Sequence, residues 1–474
     1  MKTRTNKLLL FVLIGTLLTS CETVDFGDTN TNPNESSIAS SSGLLANALR
    51  EIGTQVTQKT PMLYSQYVAN GQYPDESRYV SLNWSYYRLY ANPLNDLKTV
   101  IEINKTSTAP ASINTLVAAT LARVYFLHTM TDRWGRIPYT EALKGLELKK
   151  PVLDSQETVY KGLISEIDAV LAKITTSGVP QGDILFNGNM ARWKQFGNTL
   201  KAVMALRLSK RDVELGGYAK TKFNEAISGA IQQSSDNIYY TFLSDDNNDN
   251  PWQDAFETRK DYLMSDVIVN YMIGTGSDTA PQDPRLAKYS DPATSASAGS
   301  GTRFIGADYG SGNDLVDNFS FITKDIIYNG TAPGIIFTAA QIQFSMAEAV
   351  ELGWMTGNAE TYFRNGIKES MKQWNVPTPD ANTFADAFPY TGMQSIAEQK
   401  WVALFMQGYE SWAEWRRIGG PSTIVKPAIL LQGTDIPQRQ AYATTTPNIN
   451  KVNYDSAIAA QGPDNLDTKL WWAK

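Results

Sequence analysis

Cysteine and histidine are almost missing from this chain of 474 residues, which has one of each, Cys21 and His128. A Cys/His zinc site and a Cys–His nucleophilic pair are excluded on those counts. No intrachain disulfide can form, and a Ser–His–Asp triad would have to run through His128 alone. Positive charge is also short: 42 Lys and Arg stand against 48 Asp and Glu, for a net charge of −6, with no basic block. A chain of that balance lacks the basic footprint that nucleic-acid phosphates need, so no nucleic-acid partner is expected. Long apolar runs are scarce. Residues 8–18 form an apolar run of eleven, too short to span a bilayer, which takes roughly 20.

That run follows Lys2, Arg4 and Lys7 and ends in Leu18-Thr19-Ser20-Cys21. A basic start, a short apolar stretch and small residues before a cleavage point make a secretory signal over residues 1–20. The ending is similar to a bacterial lipobox, in which Cys21 becomes the lipid-carrying N-terminus. More than one acyl chain gives stable anchoring, at about 0.8 kcal/mol per buried CH₂. The plainer alternative is a secretory signal with a coincidental cysteine, though the chain's lone Cys stands at the cleavage position. Residues 21–36 then read as a flexible tether that begins acidic, with Glu22, Asp25 and Asp28.

What is present is helical periodicity. Val117, Leu121, Val124, Tyr125 and His128 make one apolar stripe. Residues 155–174 repeat it, as do Ile342, Met346, Ala349 and Val350, and Phe363, Ile367, Ser370, Met371 and Trp374. Thr338 with Gln341 and Ser395 with Glu398 read as capping boxes. Asp154 with Glu157 opens the 155–174 helix, and Asn358 and Asn189 cap the helices that follow them. Helix hairpins are expected from 84–105 with 111–130, 155–175 with 190–211, and 338–355 with 359–374. Strand-like alternation is confined to 237–242 and 317–328, which could pair locally. The fold class is therefore all-α: tetratricopeptide-like helix pairs in a curved scaffold with long irregular loop excursions and minor β-hairpins, as one domain over 37–474. The largest excursion, 274–334, is rich in Gly, Ser and Asp, and segments of that size are functional or disordered.

Several motifs, taken in order, resemble the SusD/RagB family of outer-membrane lipoproteins, in its SusD-like 2 branch. Residues 25–34 match the start of the mature domain. Asp132-Arg133-Trp134-Gly135-Arg136-Ile137-Pro138-Tyr139 carries the D-x-W-G-x-x-P-Y pattern. Arg192-Trp193-Lys194-Gln195-Phe196-Gly197-Asn198, Asp283-Pro284-Arg285-Leu286, residues 399–417, Ile436-Pro437-Gln438-Arg439 and Trp471-Trp472 complete the set. The acidic residues after Cys21 also resemble the surface-export signal of Bacteroidetes lipoproteins. The resemblance implies a non-enzymatic protein on the cell surface, lipid-anchored in the outer membrane and touching the membrane through that anchor only. It would capture an oligosaccharide, or in some members a peptide, and deliver it to a SusC-like TonB-dependent barrel. No cofactor and no metal are implied.

Sugars present flat C–H faces and a rim of hydroxyls, so a sugar site needs exposed aromatic platforms beside amides, carboxylates and Arg. With 11 Trp, 23 Tyr and 17 Phe, platforms are available. Trp401, Trp412 and Trp415 fall on one helical stripe and read as packing, and Trp134, Tyr139 and Trp193 read as structural. Aromatics outside helical register are the ligand candidates: Tyr73, Arg78, Tyr79 and Trp84 early in the chain, Trp252 after an amide-rich loop, and Tyr289, Arg303, Tyr309 and Asn313 in the excursion. These regions are expected to form one shallow face; the plainer account makes each residue a partly buried loop anchor. The loop 244–252 has the acids of a calcium loop, but counting from Asp245 the Gly and Glu of an EF-hand are replaced by Asn250 and Phe256, so a polar turn is the simpler reading. A helical glycosidase would need two carboxylates; Glu410 and Glu414 share a helix face, but Arg416 and Arg417 nearby favour an ion-pair network. His128 is read as a satisfied core histidine with Asp132 or Arg133 as partner. A pure interaction protein remains a third reading, which would show an exposed apolar patch and no cleft.

Overall fold

A computed structural model describes residues 40–313 and 315–474. The signal segment, Cys21, the tether and the 25–34 motif lie outside the described residues. Residues 41–474 hold together as one unit, and its chain is mostly helix. The first elements are α1 (Ser41–Val56), α2 (Lys59–Tyr64), β1 (Val68–Asn70), α3 (Asn95–Asn104) and α4 (Pro110–Trp134). Pro110 starts α4, where a missing N–H costs nothing, and Gly135 ends it at φ 84°. The first expected hairpin forms: helical turns begin at Tyr87, widen into a π-helical segment at Tyr90–Leu94 that accommodates Pro93, and continue as α3 against α4.

Next come α5 (Gln156–Leu171), α6 (Met190–Arg207) and α7 (Tyr218–Ile227). Asn189 caps α6, its side-chain Oδ1 accepting from Ala191 and Arg192 N–H. The α5 cap is Ser155 rather than Asp154: Ser155 Oγ accepts from Thr158 N–H at 3.0 Å. The Asp154 carboxylate is instead taken by the N–H groups of Tyr139 and Thr140, each at 2.9 Å. Helix α5 leans chiefly on α4, and α6 on α7.

The middle of the chain holds β2 (Ile238–Tyr240), α8 (Pro251–Phe256), β3 (Tyr262–Met264), α9 (Asp266–Ile273), α10 (Leu286–Tyr289), β4 (Ser290–Asp291), β5 (Phe321–Ile322), α11 (Lys324–Ile327) and β6 (Gly334–Phe337). The strands pair antiparallel as β1–β3, β2–β6 and β4–β5, with Val68 opposite Met264, Ile238 opposite Phe337 and Ser290 opposite Ile322. The expected local pairing of 237–242 and 317–328 is thus replaced by partners distant in sequence, and within 317–328 only Phe321–Ile322 is strand while Lys324–Ile327 forms α11. The excursion 274–334 contains short elements rather than one structureless loop.

The chain closes with α12 (Ala339–Glu351), α13 (Ala359–Gln373), α14 (Thr378–Ala387), α15 (Met393–Ala403), α16 (Gly408–Ile418) and α17 (Lys451–Gln461). Thr338 and Asn358 cap α12 and α13, accepting from Gln341 and Thr361 N–H. The α12–α13 pair is the most closely packed hairpin among the described residues. Residues 395–417 are two helices, not one. The break ends at Gly408, where a Cβ would lie 2.9 Å from Met62 N and Pro61 Cγ on α2, so only glycine lets the elements approach. Ser395 is inside α15 rather than its cap, donating back to the Gly392 carbonyl at 2.9 Å.

Three apolar clusters build the core: one from α1 and α3–α7, one under β1, β3, α9 and α15–α16, and one between α12, α13 and α14. A buried ion network stitches them. Arg207 meets Asp132 at 3.2 Å and Glu410 at 2.6 Å and also pairs with Glu414. Glu414 in turn holds Arg417 at 2.6 Å and pairs with Lys400, and Arg417 reaches Glu348 at 2.7 Å. His128 Nε2 lies 3.1 Å from Asp132, the core arrangement read from sequence. Among the described residues, no helix is long and apolar enough to cross a membrane.

Candidate functional site

The sequence candidates separate by burial. Tyr79 is 1% exposed, at φ 60°, and packs on Tyr64 at 5.6 Å and Tyr309 at 6.5 Å. A tyrosine in the left-handed region persists only where packing over-determines it. Tyr289 is fully buried and stacks on Phe405 at 4.4 Å and 10°. Trp252 is 1% exposed, crossing Tyr262 at 5.7 Å under the Lys59 ammonium, whose pKa burial pushes down to about 8. Trp84 is half-buried beside the Trp134 indole, which donates to its carbonyl at 3.1 Å. Tyr309 gives its hydroxyl to the Leu63 carbonyl at 2.7 Å. These side chains are scaffold rather than open platforms, because long-range partners cover their faces.

Three polar candidates act as pins. Arg78 Nε donates to the Gly310 carbonyl at 2.8 Å, Asn313 N donates to the Gly71 carbonyl at 3.1 Å, and Arg303 pairs with Asp278. The early loop and the excursion therefore do meet, as expected, but through packing and pins. The expected single depression containing all these residues is not formed: Tyr73, Trp252 and Tyr309 each line a different hollow.

Tyr73 alone of the aromatic candidates stands open, at 49% exposure. It lines a depression of about 620 Å³ with Gln72, Phe256, Arg259, Lys260, Asp261 and Tyr328, a size that suits a small ligand. Asn70 fixes the loop that carries Tyr73. Its Oδ1 accepts from Tyr73 N at 2.8 Å, its Nδ2 donates to Glu76 at 3.1 Å, and its own N–H donates to Ser77 Oγ at 2.9 Å. Pairing of Asn70 with Tyr262 then sets this loop beside the chain that leaves α8.

Arg259 lies over the Tyr73 ring, 5.1 Å from its centroid, and donates from Nη1 to the phenol oxygen at 2.8 Å. Its other nitrogen holds Asp261 at 2.8 Å. Burial pushes the Asp261 carboxyl up, Arg259 pulls it back and Glu76 adds to the rise. Tyr328 also lines the depression, 57% exposed, its ring crossed by Phe256 at 6.4 Å. Lys260 pairs with Asp317 at 2.9 Å. Two open rings, a guanidinium and rim amide and acid groups are the parts a sugar site uses. Arg259 and Tyr328 escaped the sequence reading. The run Arg259-Lys260-Asp261 directly after a short helix is a faint signal for the first, and nothing local marks the second.

The Glu410 and Glu414 carboxylates are both spent on Arg207. Burial alone would raise Glu414, but Arg417, Lys400 and Arg207 hold it well below the usual carboxylate range. A glycosidase acid needs the opposite shift. The hollow beside His128 and Arg416 measures about 50 Å³, too small for a sugar ring. In the amide-rich loop, Asp245 is turned onto Asn247 N–H and Asn248 Nδ2, and Asn250 caps α8. The carboxylates of Asp249, Asp254 and Glu257 approach within 4.8 Å, but only Asp249 stands at a ligand position of an EF-hand counted from Asp245.

Residues 33–443 match the SusD-like 2 family, whose description is "Starch-binding associating with outer membrane". No curated protein matches. Among solved structures, a chitin-binding protein superposes with TM-score 0.79 at 21% identity, over 92% of this chain and 100% of its own. A SusD homolog from Bacteroides fragilis gives TM-score 0.80 at 20% identity, over 92% and 100%. Another from Bacteroides thetaiotaomicron gives 0.73 at 21% identity, over 92% and 99%. Likeness at that identity speaks for the fold, and the family match over most of the chain speaks for kinship: the chain belongs to the SusD-like 2 family of outer-membrane-associated binding proteins.

Proposed function

We propose that the protein is a lipid-anchored capture protein on the outer-membrane surface. It holds an oligosaccharide in the Tyr73–Arg259–Tyr328 depression and passes it, chemically intact, to a SusC-like TonB-dependent barrel. Cys21 carries the anchor, residues 1–20 form the signal, and residues 21–36 give the tether. The observation that supports the site is the pair of open rings, Tyr73 and Tyr328, lining one depression with Arg259. Each ring can lie against a sugar's C–H face while Arg259, Gln72 and the tyrosine hydroxyls meet the hydroxyl rim. A non-catalytic role agrees with the engagement of Glu410 and Glu414 in ion pairs.

Starch- and chitin-derived oligosaccharides are the first probes, since the family description and one structural relative name them. Affinity electrophoresis against a glycan panel tests the reading. At least one glycan is expected to retard the wild type, and Tyr73→Ala or Tyr328→Ala to relieve the retardation. Retardation unchanged in both variants would remove the site from consideration.

A further inference from the structure

Three carboxylates converge along α8. Asp249 precedes the Asn250 cap, Asp254 stands on the helix, and Glu257 closes it at the border of the depression. One carboxylate oxygen of each lies within 4.8 Å of the other two.

Asp249 is 8% exposed, yet among the described residues it is given no ion pair and no hydrogen bond from another residue's donor. Its own N–H and the like-charged Asp254 are what lies in reach, and burial, Asp254 and Asp246 together push its carboxyl up. A buried carboxylate without a compensating partner is costly, and a second acid facing it adds repulsion. The cations nearby are engaged elsewhere: Arg259 on Asp261 at 2.8 Å, Lys260 on Asp317 at 2.9 Å, and Lys59 on the Pro251 carbonyl at 2.6 Å.

The backbone holds this arrangement in place. Asn250 N donates to the Gly330 carbonyl at 2.8 Å, and Asn250 Nδ2 donates to the Ala332 carbonyl at 2.7 Å, which fixes the residue next to Asp249. Gly330 supplies the room, since a Cβ there would lie 3.1 Å from Asp249 Cβ and 2.9 Å from Gln253 Oε1. Gln253 Nε2 donates to Glu257 Oε1 at 3.1 Å and so orients that carboxylate from behind.

We propose that Asp249, Asp254 and Glu257 form a calcium site that clips the 244–250 loop to α8. The donors are all hard oxygens, with no nitrogen or sulfur, which disfavours transition metals. Their spacing fits within the span of about 4.6–5.2 Å between opposite oxygens of a calcium shell. Magnesium, at about 4.0–4.2 Å, demands a near-ideal octahedron that acids from a loop and a helix end do not build. The ion would set two positive charges against three negative ones, with water completing the shell. Helix α8 also carries Trp252, which lines a cleft of about 400 Å³ bounded by the Trp374 turn, and Phe256, which lines the depression. A cation here therefore stiffens the support of both hollows. The inference does not depend on what either hollow binds.

The test is titration of the purified, chelator-treated protein with terbium, read by luminescence excited through tryptophan, followed by competition with calcium and magnesium. Calcium is expected to displace terbium with a dissociation constant on the order of 10⁻⁴ to 10⁻³ M, and magnesium to be weaker by about tenfold or more. Asp254→Asn and Glu257→Gln replace exposed carboxylates, and each is expected to weaken calcium by about tenfold. Thermal unfolding gives a second readout. Calcium raises the wild-type midpoint, and this gain is lost in Asp254→Asn. In chelator that variant unfolds at or above the wild-type temperature, because a like-charge contact with Asp249 is gone. Absence of terbium and calcium binding up to about 10 mM overturns the proposal. So does equal affinity for magnesium, unchanged calcium affinity in both variants, or a calcium-dependent midpoint that Asp254→Asn retains.

Discussion

Trp252 and Phe256 stand one turn apart on α8, and each backs a different hollow, Trp252 the 400 Å³ cleft and Phe256 the 620 Å³ depression. One short helix, capped by Asn250 and started by Pro251, therefore positions two surfaces at once. Both rings are buried, so they support the walls, while Tyr73, Tyr328 and the Trp374 turn make up the accessible lining.

Arg259 combines three contacts that a lysine cannot make together: the Tyr73 ring, its hydroxyl and Asp261. Arg259→Lys is expected to weaken glycan binding by about five- to tenfold, on the order of 1 kcal/mol for an exposed cation–π contact with its hydrogen bond. Stability should change by less than about 1 kcal/mol, because the side chain is more than half exposed. Glycan titration and urea unfolding of the same samples separate the two effects.

Glu414 gives a pH prediction. Its folded carboxyl lies well below the ordinary value of 4.5, so its ionised form is favoured by folding. That stability is fully present above about pH 4.5 and is lost as pH falls through the lower, folded value. Glu414→Gln leaves Arg207, Lys400 and Arg417 short of a buried partner and is expected to cost about 3–5 kcal/mol at neutral pH. The gap between wild type and variant should narrow as the pH falls below 4.5. Urea midpoints measured from pH 3 to 7 check both the size and the slope.

Core and platform aromatics should respond in opposite ways. Trp412 is fully buried, lies 3.6 Å under the Arg416 guanidinium, and donates to the Pro437 carbonyl at 2.6 Å. Trp412→Ala is expected to cost about 3–5 kcal/mol. Tyr73→Ala, at an exposed position, should cost less than about 1 kcal/mol. Thermal unfolding of the two variants decides this directly.

Cys21 is the chain's one thiol and the proposed anchor. Cys21→Ser is expected to abolish the acyl mass on the mature N-terminus and release the protein from the membrane fraction. Intact-mass spectrometry with detergent partitioning reports it; an unacylated wild type would contradict the anchor.

Legibility in the sequence followed the range of the interaction. Thr338, Asn358 and Asn189 were readable as caps because a cap is a contact within three residues. Asp154 misled because Ser155 stands beside it and the Asp carboxylate is claimed by Tyr139 and Thr140, which no local pattern shows. The 401–415 tryptophan stripe hid a helix break whose cause is the approach of α2 to Gly408, far away in sequence. Tyr79 and Tyr289 sit in polar stretches and looked exposed, but Tyr64, Tyr309 and Phe405 cover them. Tyr328 was missed for the converse reason: it lies in an alternating segment that reads as strand, and only the turn after α11 leaves it open.

The central claim is capture without chemistry at the Tyr73–Arg259–Tyr328 depression. Its most direct measurement is a calorimetric titration of wild type and the Tyr73→Ala/Tyr328→Ala double variant with an oligosaccharide that the wild type retains, followed by a reducing-end assay on the same solutions. The account predicts binding by wild type, affinity lower by about tenfold or more in the double variant at an unchanged unfolding midpoint, and a glycan of unaltered length. Equal affinity in the double variant, or new reducing ends in the wild-type sample, would contradict it.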